Sequence, residues 1–187
     1  MADEQLRWRI GARIPGHDYK VFTTGFVDGV HPDNGDVHRF SVIDCVDWVN
    51  VIALTPDDRV VLVRQYRVGT DTVCLEIPGG MIDPGEDAET AARRELAEET
   101  GYVAPRWRKL GATRPNPAIQ TNTLHTYLAL DAAPAMAQKL DDGEAVAVDT
   151  LPIAEVGRLI RAGSIDHALV VVAFAHLALE LGELRRP

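Results

Sequence analysis

Apolar residues along the chain fall into short runs broken at turn-forming residues, with strand-like segments preceding helix-like ones. Residues 21–30 and 37–46 flank Pro32-Asp33-Asn34-Gly35 and predict a hairpin. Residues 49–54 and 60–66, separated by Pro56-Asp57-Asp58-Arg59, predict a second hairpin, and their dense apolar character is that of a buried sheet. A short strand is expected over 73–77, ended by Pro78-Gly79-Gly80, and Asp83-Pro84-Gly85 marks a turn. Helix formers then run unbroken over 88–100. Asp87 is placed to cap that helix, and Gly101 follows its end. Further strands are expected over 103–110, 121–130 and 145–149. Two helices close the chain, over 153–161 with a stop at Gly163 and over 166–181 with the apolar density of a buried element. This order predicts a mixed α/β domain. Because the densest hydrophobic pattern begins at Asp47, residues 1–46 are read as an N-terminal β arm and residues 47–187 as the main domain.

Composition narrows the function classes. A chain of 187 residues with 46% hydrophobic and 25% charged residues can bury a core without disulfides or a structural metal. A net charge of −9 argues against a general attraction to nucleic acid or anionic membranes. A polyanionic substrate then requires local positive charge or a metal. Cys45 and Cys74 lack the number and spacing of a disulfide framework or zinc knuckle, and Met1-Ala2-Asp3-Glu4 does not resemble a signal peptide, so a cytoplasmic protein is expected. No Walker loop, dinucleotide glycine fingerprint or paired-histidine spacing is present in the sequence.

The chemistry concentrates in the expected helix over 88–100. At about 100° per residue, Glu95, Glu98 and Glu99 lie within one arc of its surface, and Arg94 stands four residues before Glu98, in reach to hold a carboxylate. Ala88, Ala91 and Ala92 lie on the same side and are expected to leave room for the loop over 79–85 to fold across the helix. Three clustered carboxylates repel one another, and a hard divalent cation, Mg²⁺ or Mn²⁺, removes that repulsion; a backbone carbonyl of the glycine-rich loop can add to the ligand set. The alternative is a solvated acidic helix face.

Gly80, five residues, Glu86, seven residues, and Arg94-Glu95-Leu96-Ala97-Glu98-Glu99-Thr100-Gly101-Tyr102 together resemble the signature of the Nudix hydrolase family, with Tyr102 where an aliphatic residue is usual. The resemblance extends over about residues 47–182 and implies a Nudix-like α/β/α sandwich that hydrolyses a nucleoside diphosphate linked to another group, usually with Mg²⁺. It implies the Gly79 carbonyl, Glu95 and Glu99 as metal ligands, Glu98 as a further one, direct or through water, Glu86 as a support of the loop or metal shell, and Arg94 as the group that orients carboxylates.

Gln65-Tyr66-Arg67, Leu75-Glu76-Ile77-Pro78-Gly79-Gly80 and the appended strands resemble the branch acting on ADP-ribose and nucleotide sugars, as do Asn116-Pro117-Ala118-Ile119-Gln120. On this reading Arg67 contacts the diphosphate, Glu76 supports substrate or metal, and Arg39 is a further ligand candidate on the arm. Trp48 is a candidate for stacking on a base, against packing in the core as its alternative. Within Asp141-Asp142-Gly143-Glu144 the resemblance suggests Glu144 as general base, with Asp142 next and a solvated turn as the alternative. It also implies a homodimer whose N-terminal strands help form the partner's substrate site. The competing readings are a Nudix hydrolase of dinucleoside polyphosphates, nucleoside triphosphates or capped RNA, and a non-hydrolysing nucleotide sensor.

Overall fold

A computed structural model of the chain describes residues 2–182. In chain order these form α1 (Ala2–Gln5), β1 (Arg9–Asp18), β2 (Thr23–Val30), β3 (Val37–Asp44), β4 (Trp48–Leu54), β5 (Arg59–Arg67), β6 (Thr72–Glu76), β7 (Gly79–Met81), α2 (Ala88–Thr100), β8 (Tyr102–Val103), β9 (Arg106–Thr113), β10 (Leu124–Leu130), β11 (Ala133–Pro134), β12 (Val146–Pro152), α3 (Ile153–Arg161) and α4 (Ala168–Glu180). They group into two compact units. One runs to Val46 and takes in Arg114–Thr123; the other comprises Asp47–Thr113 and the chain from Leu124 onward. Among the described residues no helix is long and apolar enough to cross a membrane.

The first unit is built on an antiparallel sheet in the order β1-β2-β3. The expected hairpin is its β2-β3 half, and β1 is an addition. Gly11, Pro15 and Gly16 interrupt β1, and all ten of its residues are exposed, so it lacks the alternation that marks a half-buried strand. The 114–123 segment joins this unit through the Ile43 N–H, which donates to the Ile119 carbonyl at 2.7 Å, and the Thr121 N–H, which donates back to Ile43 at 3.2 Å.

The second unit is a mixed sheet in the order β12-β5-β4-β10-β9, with β6 pairing β5 and β7 pairing β4. Only β4 and β10 run parallel within it. Along β4, Val49, Val51 and Ala53 pack on one side with Ala91, Ala92 and Leu96 of α2. Ile52 packs on the other side with Val156 of α3 and Val170, Phe174 and Leu177 of α4. Burial on both faces explains why β4 and β5 read as nearly continuous apolar runs. The result is an α/β/α sandwich.

Two expectations are corrected. The strand read over 103–110 is two, β8 and β9, divided at Pro105, which cannot donate to a ladder. The strand expected from residue 121 begins at Leu124, and Thr121 is held by the first unit. Ala91 and Ala92 are fully buried against the sheet, where their small size brings α2 close to β4, and Ile82 of the loop over 79–85 packs on the same cluster. The ends of α2 follow their sequence signals. Asp87 Oδ1 accepts from the Glu89 and Thr90 N–H groups, and Gly101 takes a left-handed φ of 73° while its N–H donates to the Ala97 carbonyl.

Candidate functional site

Lying within the second unit, a cleft of about 210 Å³ is lined by Gln65 and Arg67 of β5, Gly79–Met81 of β7, Asp83, four residues of α2, and Lys139, Asp141 and Glu144 from the segment before β12. The α2 residues are Arg94, Glu95, Glu98 and Glu99. The periodicity argument thus holds in space: one helical face delivers three carboxylates to one place.

Two glycines let the loop come this close. Gly79 stands opposite Asn50 and Gly80 opposite Val49 in the β7-β4 ladder. A Cβ on Gly79 would strike the Val49 carbonyl oxygen, and one on Gly80 would strike the Glu95 carboxylate. The Gly79 N–H donates to Glu99 Oε2 at 2.9 Å, joining the loop to the helix.

Arg94 organises the rest. Its Nη1 donates to Glu95 Oε1 at 2.9 Å and to Glu98 Oε2 at 3.2 Å, its Nε and Nη2 reach Glu86 at 3.1 and 2.9 Å, and Nη2 also meets the Met81 carbonyl at 3.0 Å. Those hydrogen bonds hold Glu86 below the usual carboxylate range. Glu86 does not line the cleft; its Oε2 accepts from the Asp83 N–H at 3.2 Å and so pins the loop to Arg94. Burial pushes Glu95 up, with Arg94 opposing. Glu99, only 4% exposed, is pushed up to about 8 by burial and by the charges of Glu95 and Glu144, against the Gly79 hydrogen bond and Arg67.

Six carboxylates and three cationic side chains face this cleft. Among the described residues no three His, Cys, Asp or Glu side chains are gathered into a metal-holding group as they stand. Arg94 occupies an oxygen of Glu95 and of Glu98, and Gly79 occupies one of Glu99. The donor set is nonetheless entirely oxygen and net negative, and burial makes the Glu99 charge costly without a cation. Those properties fit a hard divalent ion.

Arg67 lines the cleft, with Nε and Nη2 bound to Glu76 at 2.7 and 2.8 Å. Arg64, on the opposite face of β5, pairs instead with Asp149 at 3.1 Å. Glu76 is 3% exposed and does not line the cleft; it braces Arg67. Glu144 lines the cleft, and its Oε2 accepts from the Asp141 N–H at 3.1 Å within a turn completed by Gly143 at φ 92°. Asp141, not Asp142, is the aspartate of that turn on the cleft wall. Trp48 and Arg39 are not lining residues; Trp48 begins β4, and Arg39 is bound to Asp28 at 2.7 and 2.8 Å within the first unit.

Sequence reasoning missed Lys139 and Gln138. The Lys139 N–H donates to the Glu98 carbonyl at 2.9 Å, and Gln138 Nε2 donates to the carbonyls of Glu99 and Val146, fastening this segment between α2 and β12. No local pattern marks them, because the β8-β11 pairing brings their segment back to α2. Gln65 had a signal, since it shares a strand face with Arg67 two residues away.

Residues 47–173 match the NUDIX domain. The chain is 28% identical over 156 residues to an ADP-ribose pyrophosphatase of Bacillus subtilis (strain 168), covering 83% of this chain and 84% of that protein. It is 32% identical over 155 residues to the methanol dehydrogenase activator of Bacillus methanolicus, covering 82% and 84%. A solved structure described as an ADP compounds hydrolase superposes with a TM-score of 0.81 at 25% identity, covering 95% of this chain and 97% of that one.

The raised Glu99 has a measurable effect on stability. Between the ordinary glutamate value of 4.5 and about 8 the metal-free folded protein holds a proton on Glu99 that the unfolded chain has released. The folded state therefore binds more protons, and its stability falls as pH rises through that window; the upward shift of Glu95 has the same sign. In chelator, Tm is expected to drop between about pH 5 and 8, less steeply in Glu99→Gln, and added Mg²⁺ should restore more at the upper end. Identical slopes in the two proteins would contradict this account.

Proposed function

The chain belongs to the Nudix family, and from that premise we propose that it is a Mg²⁺-dependent pyrophosphohydrolase, with Mn²⁺ as a substitute, acting on ADP-ribose or a related nucleoside diphosphate sugar. The products would be a nucleoside monophosphate and a sugar phosphate. The observation that carries this reading is the cleft on α2, where Glu95, Glu98 and Glu99 meet Glu144 and the cation Arg67. The similarity to an ADP-ribose pyrophosphatase and to an ADP compounds hydrolase supports the substrate class.

In this proposal the Gly79 carbonyl, Glu95, Glu98 and Glu99 hold the cation. Bound there, a divalent ion would neutralise diphosphate oxygens and lower the pKa of a water. The protein's own residues do the rest. Glu86 and Arg94 fix the loop against α2 and set the carboxylate rotamers. Arg67 meets the diphosphate with the N–H groups that Glu76 leaves unused. Glu144, on a turn that can move about Gly143, takes a proton from the attacking water. Cys45 and Cys74 are free thiols, which suits the cytoplasmic location we propose.

We also propose a homodimer formed through the first unit. Its β1-β2-β3 sheet exposes Phe26 and Val37 on one face and Ile10 and Phe40 on the other, and a second copy would cover apolar surface of this sheet. In the proposed dimer these strands contribute to the partner's substrate site. Light scattering should give twice the chain mass at micromolar concentration; a fully active monomer would refute the exchange.

With ADP-ribose and Mg²⁺, resolved products should be AMP and ribose 5-phosphate. Glu95→Gln and Glu99→Gln are each expected to lower turnover at least ~100-fold, since a neutral amide poorly replaces a charged ligand. Wild-type turnover of both at saturating Mg²⁺ would remove the metal-site proposal. Glu144→Gln should reduce kcat by ~10²-fold with KM and metal affinity nearly unchanged. An effect on KM alone would make Glu144 a binding residue.

A further inference from the structure

The cleft cation Arg67 is held by a buried arrangement that reaches beyond the cleft. Glu76 closes β6 with its side chain only 4% exposed, and a buried carboxylate must have its lone pairs met. The Arg67 fork fills one site on each oxygen, at 2.7 and 2.8 Å. On the side of Oε2 stands His167, whose Nδ1 lies 3.7 Å away. That ring nitrogen is buried and has no hydrogen-bond partner, although the rest of the imidazole is partly exposed. An orphaned ring nitrogen facing an incompletely satisfied carboxylate is a juxtaposition that packing alone does not require.

The backbone around His167 is fixed. Its carbonyl accepts from the Val170 and Val171 N–H groups at 3.0 Å each, opening α4. Asn50 Nδ2 donates to the Leu169 carbonyl at 2.9 Å, and Asn50 is the β4 residue paired with Gly79. The helix start that carries His167 is therefore tied to the same strand as the glycine loop. His167 makes no side-chain cap to its own helix, so the ring is left to serve Glu76.

We propose that His167 is a positioning residue: with a proton on Nδ1 it holds Glu76, Glu76 holds Nε and Nη2 of Arg67, and Arg67 thereby presents Nη1 to a substrate phosphate. The inference rests on the reading of this cleft as a diphosphate site. It adds that the start of α4, which does not line the cleft, controls how well the diphosphate is bound. The hydrogen bond from Nδ1 closes when substrate engages Arg67, because the fork then has to be held in one orientation.

The test compares KM and kcat for ADP-ribose with Mg²⁺ in Arg67→Ala, His167→Asn, His167→Gln and the double variant Arg67→Ala/His167→Gln, with Tm measured alongside. The asparagine amide nitrogen falls near the place of Nδ1, whereas the glutamine amide lies farther out, near that of Nε2. Expected are KM raised at least ~10-fold by Arg67→Ala, raised ~5-fold by His167→Gln with kcat within ~2-fold, and near wild type in His167→Asn. The double variant should be no worse than Arg67→Ala, since His167 acts only through Arg67. Equal KM in the asparagine and glutamine variants, or additive losses in the double variant, would overturn the role of His167. A wild-type KM in Arg67→Ala would instead overturn the diphosphate reading of Arg67 beneath it.

Discussion

Arg94 is the group on which the site depends. Its guanidinium meets three carboxylates and one backbone carbonyl, and its bonds to Glu86 and Met81 join the preceding loop to α2 while those to Glu95 and Glu98 stay on the helix. Through Glu86 and Met81 it holds the loop between β7 and the helix; through Glu95 and Glu98 it holds two carboxylates in fixed rotamers on the helix surface. A lysine could supply the charge but not this geometry, because only a planar fork offers five donors in fixed directions. The neighbouring carboxylates hold the guanidinium proton more tightly than usual, so Arg94 stays cationic across any pH at which the protein is folded.

With the loop fixed, the remaining features follow from close approach. Gly79 and Gly80 place backbone where any side chain would strike β4 or Glu95, and Ala91 and Ala92 bring α2 onto the sheet. Glu99 is then left in the buried corner between helix and loop, with one backbone N–H as its hydrogen-bond partner. The site thus holds its charge in two environments. Glu86 and Glu98 sit paired with the Arg94 cation, while Glu99 sits deeper, where ionisation is costly until a cation arrives.

What was legible in the sequence was local. The limits of α2 follow from Asp87 and Gly101 because caps act within one turn, and the glutamate face follows from helical geometry alone. The partners of those glutamates were partly legible, since Arg94 is four residues from Glu98. What escaped depends on chain crossing. Glu76 reads as a charge at a strand end, and only the folded sheet puts it out of water beside Arg67 and His167, nine residues before it and ninety-one after it. Lys139 and Gln138 carry no pattern, and they reach α2 because the chain returns through β11. Strand β1 escaped for the opposite reason: with no buried face it has no alternation to read.

The parallel alignment of β4 with β10 orders how these parts come together. Trp48 pairs with Leu124, so β5, β6, β7 and α2 all lie inside the segment that this pairing must close. Hairpin contacts between β4, β5 and β6 and the docking of α2 span short stretches of chain and carry little closure entropy, whereas β10 and then β12 join across long ones. Closure entropy therefore favours the docking of α2 on β4 and β5 over the pairing that brings in the turn bearing Glu144, which needs β12 on β5. The wall that completes the cleft therefore rests on the pairing of greatest sequence separation in this sheet, β12 on β5.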